Sequence, residues 1–176
     1  MSRLDGEKVD VLIPAEAVRE RVAAIGAEIA RDYGGKPLCL VGVLKGSFVF
    51  MADLMRAIDL PLTLDFIGIS SYVGTQTSGV VKITSDLTRP IEGRHVLIVE
   101  DIVDTGLTMR YLLDNLATRK PVSIEVCALL VKPARARATI PVRYKGFEIG
   151  DEFVVGYGLD HDGRLRNLPY IGVVRS

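Results

Sequence analysis

Apolar positions recur along this chain in two different ways. Between residues 14 and 32, Val18, Val22, Ile25 and Ile29 fall at helical spacing. Pro14 suits a first turn there, and Gly34, Gly35 and Pro37 suit a stop. The run LCLVGV (38–43) is continuous instead of periodic and is bounded by turn formers, as in a strand buried on both faces. A second helix is predicted at about 47–58 and another strand at LTLDFIGISS (62–71). HVLIVE (95–100) is the clearest buried strand; it runs through DIVDTGLT into a helix with the stripe Met109, Leu112, Leu113 and Leu116. VSIEVCALLVK (122–132) and EFVVGYG (152–158) read as further strands, and IGVV (171–174) as an edge strand. Strands alternating with helices predict an α/β fold with a mainly parallel sheet.

Two stretches break the pattern. The first ten residues are polar and are expected to be loose. SSYVGTQTSG, within 70–90, is small and polar and joins apolar segments, so it predicts either a long hairpin or a lid over a site.

Composition narrows the function class. The length, 176 residues, suits one domain over 1–176. Lys plus Arg and Asp plus Glu both number 22, and this zero balance argues against bulk electrostatic binding of nucleic acid. No apolar run approaches the ~18 residues of a membrane span, and MSRLDGEKVD has no signal-peptide character. Cys39 and Cys127 lie inside apolar runs and read as buried free thiols of a reducing cytosol. With only His95 and His161 beside them, far apart in sequence, a zinc site is not expected.

Ligands of open α/β sheets bind beyond the carboxyl ends of the strands. Beyond HVLIV come the acids Glu100 and Asp101, then Asp104-Thr105-Gly106-Leu107-Thr108 opening a helix. The second group is an anion cradle by composition: unpaired helix N–H groups, a glycine for close approach, and two hydroxyls. The first group suits sugar hydroxyls or a hydrated magnesium ion, since carboxylates accept from hydroxyls and ligate hard cations. Neighbouring side chains of a strand point to opposite faces, so both acids face one ligand only if the strand has ended at Glu100. Together the two groups suggest a phosphorylated sugar with magnesium. Taken singly, Asp104 also suits a helix N-cap, and Glu100 with Asp101 a solvated strand end.

VLIVEDIVDTGLTM (96–109) resembles the phosphoribosyl-pyrophosphate (PRPP) motif of the type I phosphoribosyltransferases, in particular the 6-oxopurine salvage enzymes. VGVLKGSFVFMADL (41–54), SSY (70–72), ALLVKP (128–133) and DEFVVGYGLD (151–160) match segments of that subfamily in the same order. The resemblance implies a mainly parallel sheet flanked by helices, with a small hood formed by the N- and C-terminal segments. It implies transfer of the 5-phosphoribosyl group from PRPP to hypoxanthine or guanine, with Mg2+, in a cytoplasmic homodimer or homotetramer. By position, Glu100 and Asp101 match ribose and magnesium ligands, and Asp104 matches the general base. Asp104, Thr105, Gly106, Leu107 and Thr108 match the 5′-phosphate loop. Lys132 matches the donor to the 6-oxo group, Phe153 the stacking aromatic, and Val154 a backbone contact to the base. Asp160 matches a second magnesium site and Arg166 a pyrophosphate contact. Lys45 and Gly46 match a pyrophosphate loop with a non-proline cis peptide before the glycine. Ser71 and Tyr72 match a mobile catalytic loop, here 70–82. Leu107 departs from some members, including mammalian ones, that carry Lys. The rival readings are a PRPP- or nucleotide-sensing regulator of the same fold, and a transferase for xanthine or a pyrimidine.

Overall fold

A computed structural model describes residues 2–4, 7–72 and 80–175. In it, β3 (Leu38–Leu44), β4 (Leu62–Tyr72), β5 (Val80–Ser85), β6 (His95–Val103), β7 (Ser123–Val131) and β8 (Val142–Glu148) form one sheet of order β5-β4-β3-β6-β7-β8. Every pairing is parallel except β4 with β5. The helices are α1 (Ala15–Asp32), α2 (Phe48–Ala57) and α3 (Leu107–Ala117).

The period of two along each central strand sorts the core into two layers. Leu38, Leu40, Leu97, Val99 and Leu129 face α1 and α2, packing with Val22, Ile25, Phe50 and Leu54. Cys39, Val41, Val96, Ile98 and Val126 face the other way, against Met109, Leu112 and Leu116 of α3. The two cysteines thus sit in opposite layers, both buried and both free. Burial pushes each thiol above its ordinary value. The layer of α1 and α2 is tight at one point: a Cβ on Gly26 would lie 2.5 Å from the Ala57 carbonyl oxygen.

A second, antiparallel sheet holds β1 (Ser2–Leu4), β2 (Glu7–Ile13), β10 (Ile171–Arg175) and β9 (Val154–Val155), in the order β1-β2-β10-β9. It brings the two ends of the chain together as a hood with its own small core of Val9, Val155, Leu165 and Leu168. Here the structure departs from the sequence reading. The start of the chain is not loose over 7–13: β2 pairs with β10, and Val9 is buried. The physical reason is the alternation Val9, Val11, Ile13, which gives a polar-looking segment one apolar face. EFVVGYG, expected as a strand over 152–158, keeps only two strand residues. Gly156, Tyr157 and Gly158 all have positive φ (94°, 50° and 100°), which takes the chain out of the sheet. β8 was not anticipated. Within 70–90, the end of β4 pairs antiparallel with β5, Tyr72 opposite Val80. The tip of the expected lid, 73–79, lies outside the described residues, as do the side chains of Ser71 and Tyr72.

Candidate active site

β6 runs on to Val103, three positions beyond its expected end. The acids are therefore both in the strand, yet both line one cavity of about 190 Å³ with Asp104, Thr105, Gly106 and Thr108. They meet because Glu100 turns back onto its neighbour: its Oε1 accepts from the Asp101 N–H at 3.1 Å. Asp101 Oδ1 in turn accepts from the Ile102 N–H at 2.8 Å. Glu100 is only 8% exposed. Its burial, and then the adjoining Asp101 carboxylate, push its proton affinity well above the ordinary glutamate value.

α3 begins directly beyond the cavity. Gly106, not Asp104, stands at its N-cap, with φ 81°, and no side chain caps it. The Gly106 conformation is one that glycine adopts freely. A Cβ there would also fall 2.7 Å from the Ala138 carbonyl oxygen. The Leu107 N–H donates to Thr105 Oγ1 at 3.5 Å; a helix start leaves its other first-turn N–H groups to a ligand, and the helix dipole favours an anion there. Thr105 and Thr108 line the same cavity, while Leu107 is exposed. Asp104 is thereby freed from capping. It accepts instead from Arg135 Nε, at 2.6 Å through Oδ1.

Lys45 and Gly46 connect β3 to α2. The peptide bond between Leu44 and Lys45 is cis, one bond earlier than the Lys45–Gly46 bond. The Ser47 hydroxyl donates back to the Val43 carbonyl at 2.6 Å and folds the turn tightly. Gly46 leans on the acid pair so closely that a Cβ at this position would lie 1.7 Å from Asp101 Oδ2. From the other side comes Gly158, where a Cβ would lie 2.2 Å from the Gly46 carbonyl oxygen. Arg166 donates to the Gly158 carbonyl at 2.6 Å and pairs with Asp160 at 2.8 Å. These contacts bring Arg166 and Asp160 of the hood to the Lys45–Gly46 turn.

The third wall follows β7. Lys132 is buried, and its ammonium donates to the Glu152 carbonyl at 2.6 Å. This bond ties the end of β7 to the loop that carries Phe153. Phe153 is 58% exposed, with one ring edge-on to His161 at 5.6 Å between centroids. The next residue, Val154, is buried in β9. A flat ring this open offers a face on which a planar ligand could stack.

The acid pair can hold a magnesium ion only in part. Among the described residues no three His, Cys, Asp or Glu side chains cluster as a metal cage. Asp160 is engaged elsewhere, by Arg166 and by the Gly163 N–H at 2.7 Å. Two adjoining carboxylates, one of them charged only at a penalty, still fit a cation. Magnesium commonly takes one or two carboxylates and completes its shell with water and substrate oxygens.

Sequence reading missed Arg135, Asp151, Gly158 and His161. Arg135 and Asp151 lie in loops where no periodicity marks them. Gly158 stood inside an expected strand, and His161 was marked only as one of two histidines too far apart for zinc. A cavity of about 560 Å³ lies away from the acids between α1, α2 and the hood, with Arg166 on its wall.

Comparison with known proteins shows the family and the fold. The family model described as phosphoribosyl transferase domain matches residues 10–162. The chain is 51% identical over 170 residues to hypoxanthine phosphoribosyltransferase of Haemophilus influenzae, covering 94% of this chain and 95% of that protein. It is 49% identical over 176 residues to hypoxanthine-guanine phosphoribosyltransferase of Mycobacterium avium, covering 96% and 87%. The crystal structure of a hypoxanthine phosphoribosyltransferase from Staphylococcus aureus superposes with a TM-score of 0.91 at 47% identity, covering 94% of this chain and 91% of that one.

Proposed function

The chain belongs to the phosphoribosyltransferase family, and we propose that it is a purine salvage enzyme that joins PRPP to a 6-oxopurine. It transfers the 5-phosphoribosyl group to N9 of hypoxanthine or guanine and releases pyrophosphate, giving IMP or GMP. The observation that carries the substrate class is Lys132. It is a buried ammonium at the end of β7, one strand from the acid pair and beside an exposed aromatic ring. An ammonium donates to a 6-oxo group and has no acceptor for adenine's amino group.

Each wall then has a task. The first turn of α3, with Asp104 to Thr108, holds the 5′-phosphate through backbone N–H groups and hydroxyls. Glu100 and Asp101 accept from the ribose hydroxyls. The Lys45–Gly46 turn and Arg166 hold the pyrophosphate. Phe153 stacks on the purine, the Val154 backbone contacts its edge, and Lys132 fixes its orientation. Asp104 Oδ2, which has no partner among the described residues, accepts the proton that the imidazole ring loses as the new C–N bond forms. Glu100 and Asp101 would hold one Mg2+, and Asp160 a second through water; bound there, the metal would supply charge neutralisation for the leaving pyrophosphate. Ser71 and Tyr72, at the end of β4, flank the site so as to cover the sugar and exclude water. The enzyme works as a homodimer or homotetramer in the cytoplasm. Two buried free thiols suit that compartment, and no helix among the described residues is long and apolar enough to cross a membrane.

The direct test mixes purified protein with PRPP, magnesium and each base in turn and follows nucleotide formation. IMP and GMP are the expected products, with no AMP. Failure with both hypoxanthine and guanine would overturn the reading, and product from xanthine or a pyrimidine alone would replace it with a different transferase.

A further inference from the structure

Arg135 stands where the two halves of the site meet. It ends the short 3₁₀ turn Pro133–Arg135 that follows Lys132. Its Nε donates to Asp104 Oδ1 at 2.6 Å, and a terminal guanidinium nitrogen donates to Asp151 Oδ1 at 2.9 Å. One side chain thus joins the proton acceptor of the phosphate loop to the loop that presents Phe153.

This bridge is not what holds the segment in place. The backbone is anchored independently: Arg137 and Ala138 N–H groups donate to the Thr105 carbonyl at 2.9 and 3.1 Å, and Arg110 donates to the Thr139 carbonyl at 2.6 Å. Nor is the bridge a large stability element. The side chains of Arg135, Asp104 and Asp151 are 45%, 40% and 70% exposed, and pairs so open to water contribute little. What the bridge does fix is geometry. A guanidinium is a planar fork, and a fork held at both tines sets the direction of each carboxylate.

We propose that Arg135 is a positioning residue for Asp104: it occupies Oδ1, anchored from behind by Asp151, and so leaves Oδ2 directed at the purine. The inference rests on Asp104 acting as the general base. Because Arg135 acts through Asp104, its contribution vanishes when Asp104 is gone, whereas a role in holding the loops does not.

The test measures kcat and KM for hypoxanthine and PRPP in Arg135→Ala, Arg135→Lys, Asp104→Ala and the Arg135→Ala/Asp104→Ala double variant. Misplacing a reacting group costs up to about 10²-fold, so Arg135→Ala is expected to lower kcat about 10- to 100-fold while the KM for PRPP moves little. Arg135→Lys recovers part of the loss, since an ammonium holds one carboxylate but does not make the planar bridge. On the Asp104→Ala background the same Arg135 change has an effect of less than about twofold. An Arg135→Ala enzyme as active as the parent overturns the proposal, as does an equal fold-loss on both backgrounds. A fully active Asp104→Ala removes the general-base assignment and this inference with it; an impaired Asp104→Ala beside an unimpaired Arg135→Ala removes this inference alone.

Discussion

The two halves of the proposed site, one for the sugar phosphate and one for the base, are built differently. Glu100 to Thr108 is one unbroken run: the end of β6, a turn and the start of α3. The base half is gathered from Lys132 after β7, Phe153 before β9 and the hood beyond it. A phosphate needs several converging N–H groups, and one strand-to-helix turn supplies them locally. A flat heterocycle needs a face and an edge at once, and no single turn presents both. The sugar half accordingly carries a buried acid, Glu100 at 8% exposure, whereas Phe153 stands open at 58%.

The comparison is broken most forcefully at its boundary. Asp104 belongs to the sugar half by sequence, and the proposed function gives it a task on the base. Asp104→Ala is expected to lower kcat about 10²- to 10⁴-fold, the range for a lost general base, with both hypoxanthine and guanine affected alike. Single-turnover rates would show it, and an unchanged rate would return Asp104 to the phosphate loop alone.

Within the sugar half, Gly46→Ala is the next largest change. Its Cβ would lie 1.7 Å from Asp101 Oδ2, so either the carboxylate or the turn must move. A displacement of that order costs about 10²-fold in kcat/KM for PRPP. It should do so whichever base is offered, and a loss that differs between bases would show that the two halves are not separable.

Lys132→Met sharpens the other side. Losing a hydrogen bond from a charged donor costs about 1.5–3 kcal/mol, or roughly 10- to 100-fold in kcat/KM for the 6-oxopurines. The KM for PRPP should stay near the parent value, and discrimination against adenine should narrow. Equal losses for hypoxanthine and adenine would mean that Lys132 acts only by holding the Glu152 carbonyl.

The same contrast explains what could be read in the sequence. The sugar half was legible because its chemistry is contiguous, and the carboxylates, small hydroxyls and glycine of 100–108 fall directly after an unmistakable buried strand. The expected end of that strand was wrong. Two acids on one cavity wall did not require the strand to stop, because Glu100 folds back onto the Asp101 N–H. The base half was legible only through resemblance: a Lys at a strand end and a Phe in an apolar run are ordinary features by themselves. β2 of the hood and β8 of the main sheet escaped a pattern reading for a related reason. β2 mixes Glu, Lys and Asp with its valines, and VRYKGFE of β8 lies at a sheet edge with one half-wet face, so neither gives a continuous apolar run. Arg135 left no trace at all, since its role exists only once the 3₁₀ turn sets it between Asp104 and Asp151.

The smallest expected effect tests whether the sugar half holds stored destabilisation that the base half lacks. Glu100 is buried against another carboxylate, and its proton affinity in the folded protein is well above the ordinary glutamate value. A carboxyl raised in this way favours the fold while it is protonated. That contribution is complete below the ordinary glutamate pKa of ~4.3 and is lost as pH climbs towards the raised folded value. Glu100→Gln copies the protonated form and does not titrate. It should match the parent near pH 4 and exceed it at neutral pH, by about 2–4 °C in Tm for each kcal/mol released. The same change removes a charged acceptor from the ribose hydroxyls and half of the cation's seat, so the KM for PRPP should rise as Tm does. Thermal melts of the two proteins across pH 4 to 8 decide the matter. A variant less stable than its parent at neutral pH would mean that Glu100 is no burden to the empty fold, and the two halves would then differ in sequence locality but not in energetic character.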